Sequence, residues 1–155
     1  MKEIKFYSHF KEYGVFSNFF EAGFFDENGL YFPTSEHYYH YHKFIRTNPE
    51  VAQKILDSSR ASVAYRRSRQ YKEEVDPDWD KIKVEVMRKA IYYKFTQNPD
   101  LKAKLLATKD AVLIEDSPRD YFWGIGADGS GQNMLGKLLM ELRERLKNEE
   151  SQVDT

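Results

Sequence analysis

The chain has 155 residues, the size of one ordinary domain, so two full domains are not expected. Its 24 Lys and Arg against 25 Asp and Glu leave a formal charge of -1, which excludes the one-sign footprint of an indiscriminate nucleic-acid binder but not the reading of a specific modified base. The absence of cysteine excludes disulfide scaffolds, Cys-ligated zinc, iron–sulfur clusters and thiol nucleophiles, and a charged start with no apolar run of membrane length points to a cytoplasmic protein without a membrane anchor.

The opening third reads as extended and aromatic, with 15 of the 24 aromatic residues between positions 6 and 44, enough for a thick core or a stacking surface. Residues 4–7 alternate as a strand. Residues 23–25 and 30–32 flank Asn28-Gly29, a strong hairpin signal. Pro33-Thr34-Ser35-Glu36 supplies helix-start chemistry, and the spacing predicts a helix to about Arg46. Asn48-Pro49 opens a second helix through Leu56, and a basic third covers residues 61–71. From Asp78 to about Thr96 the apolar residues, Trp79 among them, recur at three- and four-residue spacing, a buried helical stripe. Asn98-Pro99 caps another helix, residues 111–114 form a short buried strand, and Met134 to Leu146 mark an amphipathic final helix. The expected architecture is a single helix-dominated α+β domain, residues 1–147, with a small N-terminal β-sheet or hairpin. A glycine-rich loop leads into the C-terminal helix, and residues 148–155 form a frayed tail.

Chemistry-bearing residues crowd the first helix, Glu36-His37-Tyr38-Tyr39-His40-Tyr41-His42-Lys43. Four- and seven-residue offsets put Glu36, His40 and Lys43 on one face, so that a carboxylate, an imidazole and an amine converge. Metal binding is not expected, because the histidines are offset by three, two and five rather than by the four of helical ligand pairs. Two readings remain open here: an exposed face carrying an ordinary Glu-to-Lys pair, or the amphipathic wall of a pocket.

Five of the eight glycines fall within thirteen residues, 124–136, just after Asp120 and Trp123. A glycine loop running into a helix exposes unpaired N–H groups that can cradle phosphate or ribose, although Gly124, Gly126 and Gly129 match neither a P-loop nor a dinucleotide fingerprint. The alternative is a long surface connection pinned by Trp123. Asn18, set among Phe16, Phe19 and Phe20, either fixes a turn or reads a ligand. Arg60, Arg66, Arg67 and Arg69 form either a solvated helix face or a phosphate clamp.

Together these segments resemble the NADAR family, named for NAD and ADP-ribose association and also called YbiA-like, over about residues 10–146. The residues that carry the resemblance are Phe16-Ser17-Asn18-Phe19, Tyr31 to His37 with Tyr39 and Lys43, Trp79 to Met87, Lys94-Phe95, and Leu113-Ile114-Glu115 with Asp120. They continue with Trp123-Gly124 and Gly126, Asp128-Gly129, Gly131, Asn133, Leu135-Gly136 and Arg143. Three features depart from the family pattern: His40 and His42 stand where glutamines are frequent, Tyr41 replaces a small residue, and Lys109 occupies a usual glycine.

The resemblance implies an N-glycosidase that cleaves a phosphorylated ribose from a base nitrogen, acting on riboflavin-pathway intermediates of the ribosylaminouracil phosphate type. The alternatives are an ADP-ribosyl-guanine glycohydrolase, or a non-catalytic sensor of ADP-ribose or NAD. It implies no metal or redox cofactor and a small-molecule ribosyl phosphate or ADP-ribosyl substrate, and it leaves the oligomeric state open. Such cleavage passes through an oxocarbenium-like state, which needs nearby negative charge, a nucleophile or water, and a proton for the departing nitrogen. Glu36, Lys43 and Asp120 are the expected catalytic residues, with Lys43, desolvated by tyrosines, attacking C1 to give an imine as the family analogy suggests. Asn18, Tyr39, His40, Trp123, Gly124, Gly126 and Asn133 are the expected substrate-binding residues.

Overall fold

The structure is a computed structural model that describes residues 2–153. It resolves into two compact units, Asn18–Asn98 and the pair of segments Met1–Ser17 with Pro99–Thr155.

The 18–98 unit contains the expected hairpin, β2 (Phe24–Phe25) antiparallel to β3 (Tyr31–Phe32). Its turn is longer than the two-residue Asn-Gly type, and Gly29 rather than Asn28 takes the positive φ. Gly29 has φ +81°, and Asp26 Oδ1 accepts from the backbone N–H groups of Asn28 and Leu30, both at 2.9 Å. Helix α1 (Ser35–His42) then starts on Thr34, whose hydroxyl caps the His37 N–H at 3.0 Å. Helices α2 (Pro49–Leu56), α3 (Ala61–Gln70) and α4 (Trp79–Gln97) follow.

Phe44, Val51, Ala52, Ile55 and Ala64 form one core cluster, and Met87, Ala90, Ile91 and Phe95 bury the stripe of α4. Much of the aromatic crowd is core. Phe24, Phe32 and Tyr38 are buried, and the Phe32 and Tyr38 rings meet edge-on at 4.9 Å.

Helix α1 ends at His42, four residues before the expected Arg46. The Lys43 carbonyl, which would continue the helical ladder, instead accepts the Asp76 N–H at 2.8 Å. The next residues tighten into three-residue turns, with Phe44 N–H donating to the Tyr41 carbonyl and Thr47 N–H to that of Phe44.

The other unit pairs β1 (Glu3–Phe6) in parallel with β4 (Val112–Glu115), Ile4 opposite Leu113. The N-terminal strand therefore belongs to a separate sheet from the hairpin. Its alternation buries Ile4 and Phe6, and parallel pairing needs the long crossover that α5 (Pro99–Ala107) and the preceding chain provide. Helix α6 (Met134–Val153) packs on β4. It continues past Asn148 to Val153, because no glycine or proline follows Gly136 and Arg145 Nε pairs with Glu149 Oε1 at 3.2 Å, one turn on.

Lys109, at the position of a usual family glycine, has φ +55°, the left-handed conformation that explains the preference. No helix among the described residues is long and apolar enough to cross a membrane.

Candidate active site

A short helix rich in Glu, His and Tyr is an unexpected thing to bury, yet residues 35–40 are all buried. Helices α2, α3 and α4 pack around α1. Burial of polar groups is tolerated when each finds a partner, so the groups that do not are informative.

His37 is fully satisfied. Its Nδ1 lies 2.8 Å from Thr34 Oγ1 and its Nε2 donates to the Ser58 carbonyl at 2.9 Å, which assigns the ring hydrogen to Nε2 because a carbonyl only accepts. Burial pushes its pKa below the ordinary value. His37 is thus a fastener between α1 and the end of α2.

Glu36 and His40 differ. Both are buried, and Glu36 Oε1 stands 2.8 Å from His40 Nε2, close in distance but poorly aligned as a hydrogen bond. His40 Nδ1 has no partner among the described residues, although the residue is only 3% exposed. Burial lowers the His40 pKa, Lys43 adds to the shift and Glu36 opposes it. The expected face of Glu36, His40 and Lys43 therefore exists, with the acid and imidazole in contact and the amine in electrostatic range of the imidazole. The face is buried at Glu36 and His40 and half-buried at Lys43, so it is not an exposed ion pair.

Lys43, the C-cap of α1, holds its Nζ 5.3 Å from the Tyr39 ring centroid and 6.0 Å from that of Trp79. Tyr39 and Trp79 meet edge-on at 4.9 Å, both 8% exposed. Trp79 is core, as its place in the helical stripe predicts, and it also walls the lysine. Asn18 turns out to clamp the start of α1. Its carbonyl accepts the Glu36 N–H at 3.1 Å and its Oδ1 accepts the Ser35 hydroxyl at 2.7 Å.

The remaining expected residues lie in the other unit, where side chains and backbone are turned on one another. Asp120 Oδ1 accepts the N–H groups of Phe122 at 3.0 Å and Trp123 at 2.7 Å. Trp123 packs edge-on against Phe122 at 4.9 Å. Asn133, at φ +52°, spends its amide on β4, with Oδ1 accepting the Glu115 N–H at 2.9 Å and Nδ2 donating to the Leu113 carbonyl at 2.9 Å.

Much of the glycine loop's backbone is turned inward, where a phosphate cradle needs unpaired N–H groups. Gly126 N–H donates to the Ser117 carbonyl, Gly131 N–H to that of Ile125 and Asn133 N–H to that of Gly124, at 2.9, 2.6 and 3.0 Å. The first N–H groups of α6, on Met134 and Leu135, are taken by the Phe122 and Trp123 carbonyls. Gly124 is buried against the Glu115 and Asp120 carbonyls and Gly126 against the Tyr121 ring, each too close for a side chain.

Sequence reasoning missed Tyr65. Its ring stands edge-on to His40 at 5.9 Å and beside Phe19 at 6.4 Å, and its hydroxyl accepts from Arg69 Nη1 at 2.9 Å. A tyrosine inside an arginine cluster was the available signal, but nothing local ties α3 to a helix some 25 positions earlier. Among the described residues no three His, Asp or Glu side chains converge as a metal site.

Residues 5–147 match the NADAR domain. The chain is 43% identical over 143 residues to N-glycosidase YbiA of Escherichia coli (strain K12), covering 92% of this chain and 88% of that protein. It is 37% identical to N-glycosidase Npun_R5314 of Nostoc punctiforme, of which it covers 93%. It is also 41% identical to the maize (Zea mays) riboflavin biosynthesis protein PYRR, chloroplastic, but spans only 25% of that longer protein and 92% of itself. The NMR structure of E. coli YbiA superposes with a TM-score of 0.87 at 42% identity, covering 96% of this chain and 87% of that one. With the helix-dominated α+β fold and the Glu36–Lys43 helix in place, this chain belongs to the NADAR-domain family.

Proposed function

We propose that the protein is an N-glycosidase that hydrolyses the bond between a phosphorylated ribose and a base nitrogen, with riboflavin-pathway intermediates of the ribosylaminouracil phosphate type as substrate. The observation that carries the reading is the buried Glu36–His40 contact on the same helix as Lys43, whose amine rests against Tyr39 and Trp79. The reading is supported by relatives of nearly the same length that are named N-glycosidases, and by the riboflavin biosynthesis protein of which the chain matches a part.

The chemistry assigns one task to each group. Glu36, in its protonated form, gives a proton to the departing nitrogen, which takes the electron pair of the C1–N bond. The neutral amine of Lys43 forms a bond to C1. The sugar ring then opens as the C1–O bond breaks, with one proton of the lysine nitrogen going to the ring oxygen and the other returning to the Glu36 carboxylate, to leave an imine. Water adds across that imine, returning the amine and releasing the free sugar phosphate, so that the net change is hydrolysis. Tyr39 and Trp79 shield the amine from bulk water, and the unpartnered His40 Nδ1 and the Asn18 amide are the polar groups assigned to the sugar and base. Asp120 and Asn133 are assigned holding roles in the loop, because Asp120 Oδ1 and both ends of the Asn133 amide are already engaged.

The test is incubation with ribosylaminouracil phosphate, ADP-ribosyl guanosine and NAD, followed by chromatography of released base. Release from the first alone is the expected result. Release only from the second would transfer the assignment to ADP-ribosyl-guanine hydrolysis, and binding without release from any would make the protein a sensor.

A further inference from the structure

Of the four arginines on and beside α3, each has a different fate. Arg60 precedes the helix, and Arg67 Nη1 donates to the Lys54 carbonyl at 2.8 Å and to Ser58 Oγ at 3.3 Å, fastening α3 to α2. Arg69 lies over the Tyr65 ring at 5.6 Å while donating to its hydroxyl, and Arg66 is exposed with no partner among the described residues. Three- and four-residue offsets place Tyr65, Arg66 and Arg69 on one edge of the helix.

That edge is not an ordinary solvated face. A solvated arginine swings freely, whereas the hydrogen bond to the Tyr65 hydroxyl and the approach to its ring restrict the Arg69 guanidinium. The remaining N–H groups of that fork face no carboxylate among the described residues. Tyr65 is 42% exposed, but its ring also meets His40, whose Nε2 is 2.8 Å from Glu36. Glu36, His40, Tyr65 and Arg69 thus form one unbroken line of side chains with a carboxylate at one end and a pre-oriented guanidinium at the other.

We infer that the Tyr65–Arg66–Arg69 edge of α3 binds the phosphate of the substrate, so that the fork of Arg69 fixes the sugar while Glu36 addresses the departing base. The inference rests on the N-glycosidase reading and deepens it. Planar, bidentate donors match phosphate oxygens, and Arg66 adds charge beside them. The same edge serves a ribosyl monophosphate or the diphosphate of an ADP-ribosyl adduct.

The experiment compares wild type, R69K, R69A and the R66A/R69A pair on a phosphorylated ribosyl substrate and its dephosphorylated counterpart. We expect R69A to raise KM for the phosphorylated compound about tenfold or more with a much smaller change in kcat, the pattern of lost uniform binding. R69K recovers part of the loss, and the double variant no longer prefers the phosphorylated compound. Preserved preference in the double variant, with melting temperatures unchanged, overturns the inference. Titration of ribose 5-phosphate into each protein reads the site without turnover. A wild type that binds it through Arg69 yet cleaves nothing removes the glycosidase reading alone, and equal binding by wild type and the double variant removes the phosphate site.

Discussion

Helix α1 and the glycine-rich segment 117–133 both looked like ligand sites, but they treat their polar groups in opposite ways. The loop spends them on itself. Its N–H groups find its own carbonyls, Asp120 holds two backbone donors, and the Asn133 amide is bound at both ends to β4. Helix α1 buries an acid and two imidazoles and half-buries a third, but leaves His40 Nδ1 and His42 Nε2 without partners among the described residues. A buried polar atom left without a partner costs free energy that evolution keeps only for a use, whereas a satisfied loop needs no ligand to explain it. The proposed function accordingly places the chemistry where satisfaction is incomplete and the scaffold where composition is flexible.

The largest effects should therefore come from α1. We expect K43A and E36Q each to lower turnover by at least about a hundredfold, the scale of losing a positioned nucleophile or acid, with folding intact by circular dichroism. Near-normal activity in either variant would remove that residue from the reaction. Borohydride added during turnover should reduce the imine and leave a sugar-phosphate adduct on Lys43. A peptide mass spectrum without that adduct would replace the lysine by direct attack of water.

The loop should respond in stability. A Cβ on Gly136 would overlap the Leu113 carbonyl and the Asn133 side chain, where α6 lies directly on β4. We expect G136A to cost about 1–3 kcal/mol, the range for forcing an extra carbon into a packed site. Thermal melts with and without substrate analogue measure it. An unchanged melting temperature would mean that the segment is looser than its hydrogen bonds imply.

Much of this was legible in the sequence, and the illegible part has a pattern. Caps and turns are local, so Thr34, Asn48-Pro49 and Asn28-Gly29 announce α1, α2 and the hairpin within a residue or two. The Glu36–His40 contact is likewise a four-residue offset on one helix. What failed required distant partners. The early end of α1 depends on Asp76 capturing the Lys43 carbonyl, β1 finds β4 over a hundred residues away, and Tyr65 reaches His40 from another helix. The loop keeps two readings open in the sequence because glycine composition reports conformational freedom and says nothing of which carbonyls its N–H groups will find.

A smaller consequence concerns pH. Burial lowers the His42 pKa to about 4 from its ordinary 6.5, with Lys89 adding to the shift and Asp26 and Glu27 opposing it. Between those values the unfolded chain binds a proton that the folded one refuses. The folded state therefore has its full stability above about pH 6.5 and loses it as the pH falls towards 4. We expect H42Q to flatten that decline in melting temperature while changing little at pH 7.5. His37 and His40 shift in the same direction, so some acid sensitivity should persist. An identical pH profile for H42Q would mean that His42 is solvated in the folded state.

Asp120 offers the finest division between the two regions. If its work is to accept the Phe122 and Trp123 N–H groups, an asparagine oxygen can do the same, and D120N should keep both stability and turnover within about threefold, near the noise of surface substitutions. D120A removes the acceptor and should cost about 1 kcal/mol, the usual value of a hydrogen bond left unmade. A charge role predicts the reverse order in activity, because D120N abolishes the carboxylate while sparing the turn. A hundredfold loss of turnover in D120N with an unchanged melting temperature would move Asp120 from the scaffold into the chemistry, and the loop could no longer be read as satisfied structure alone.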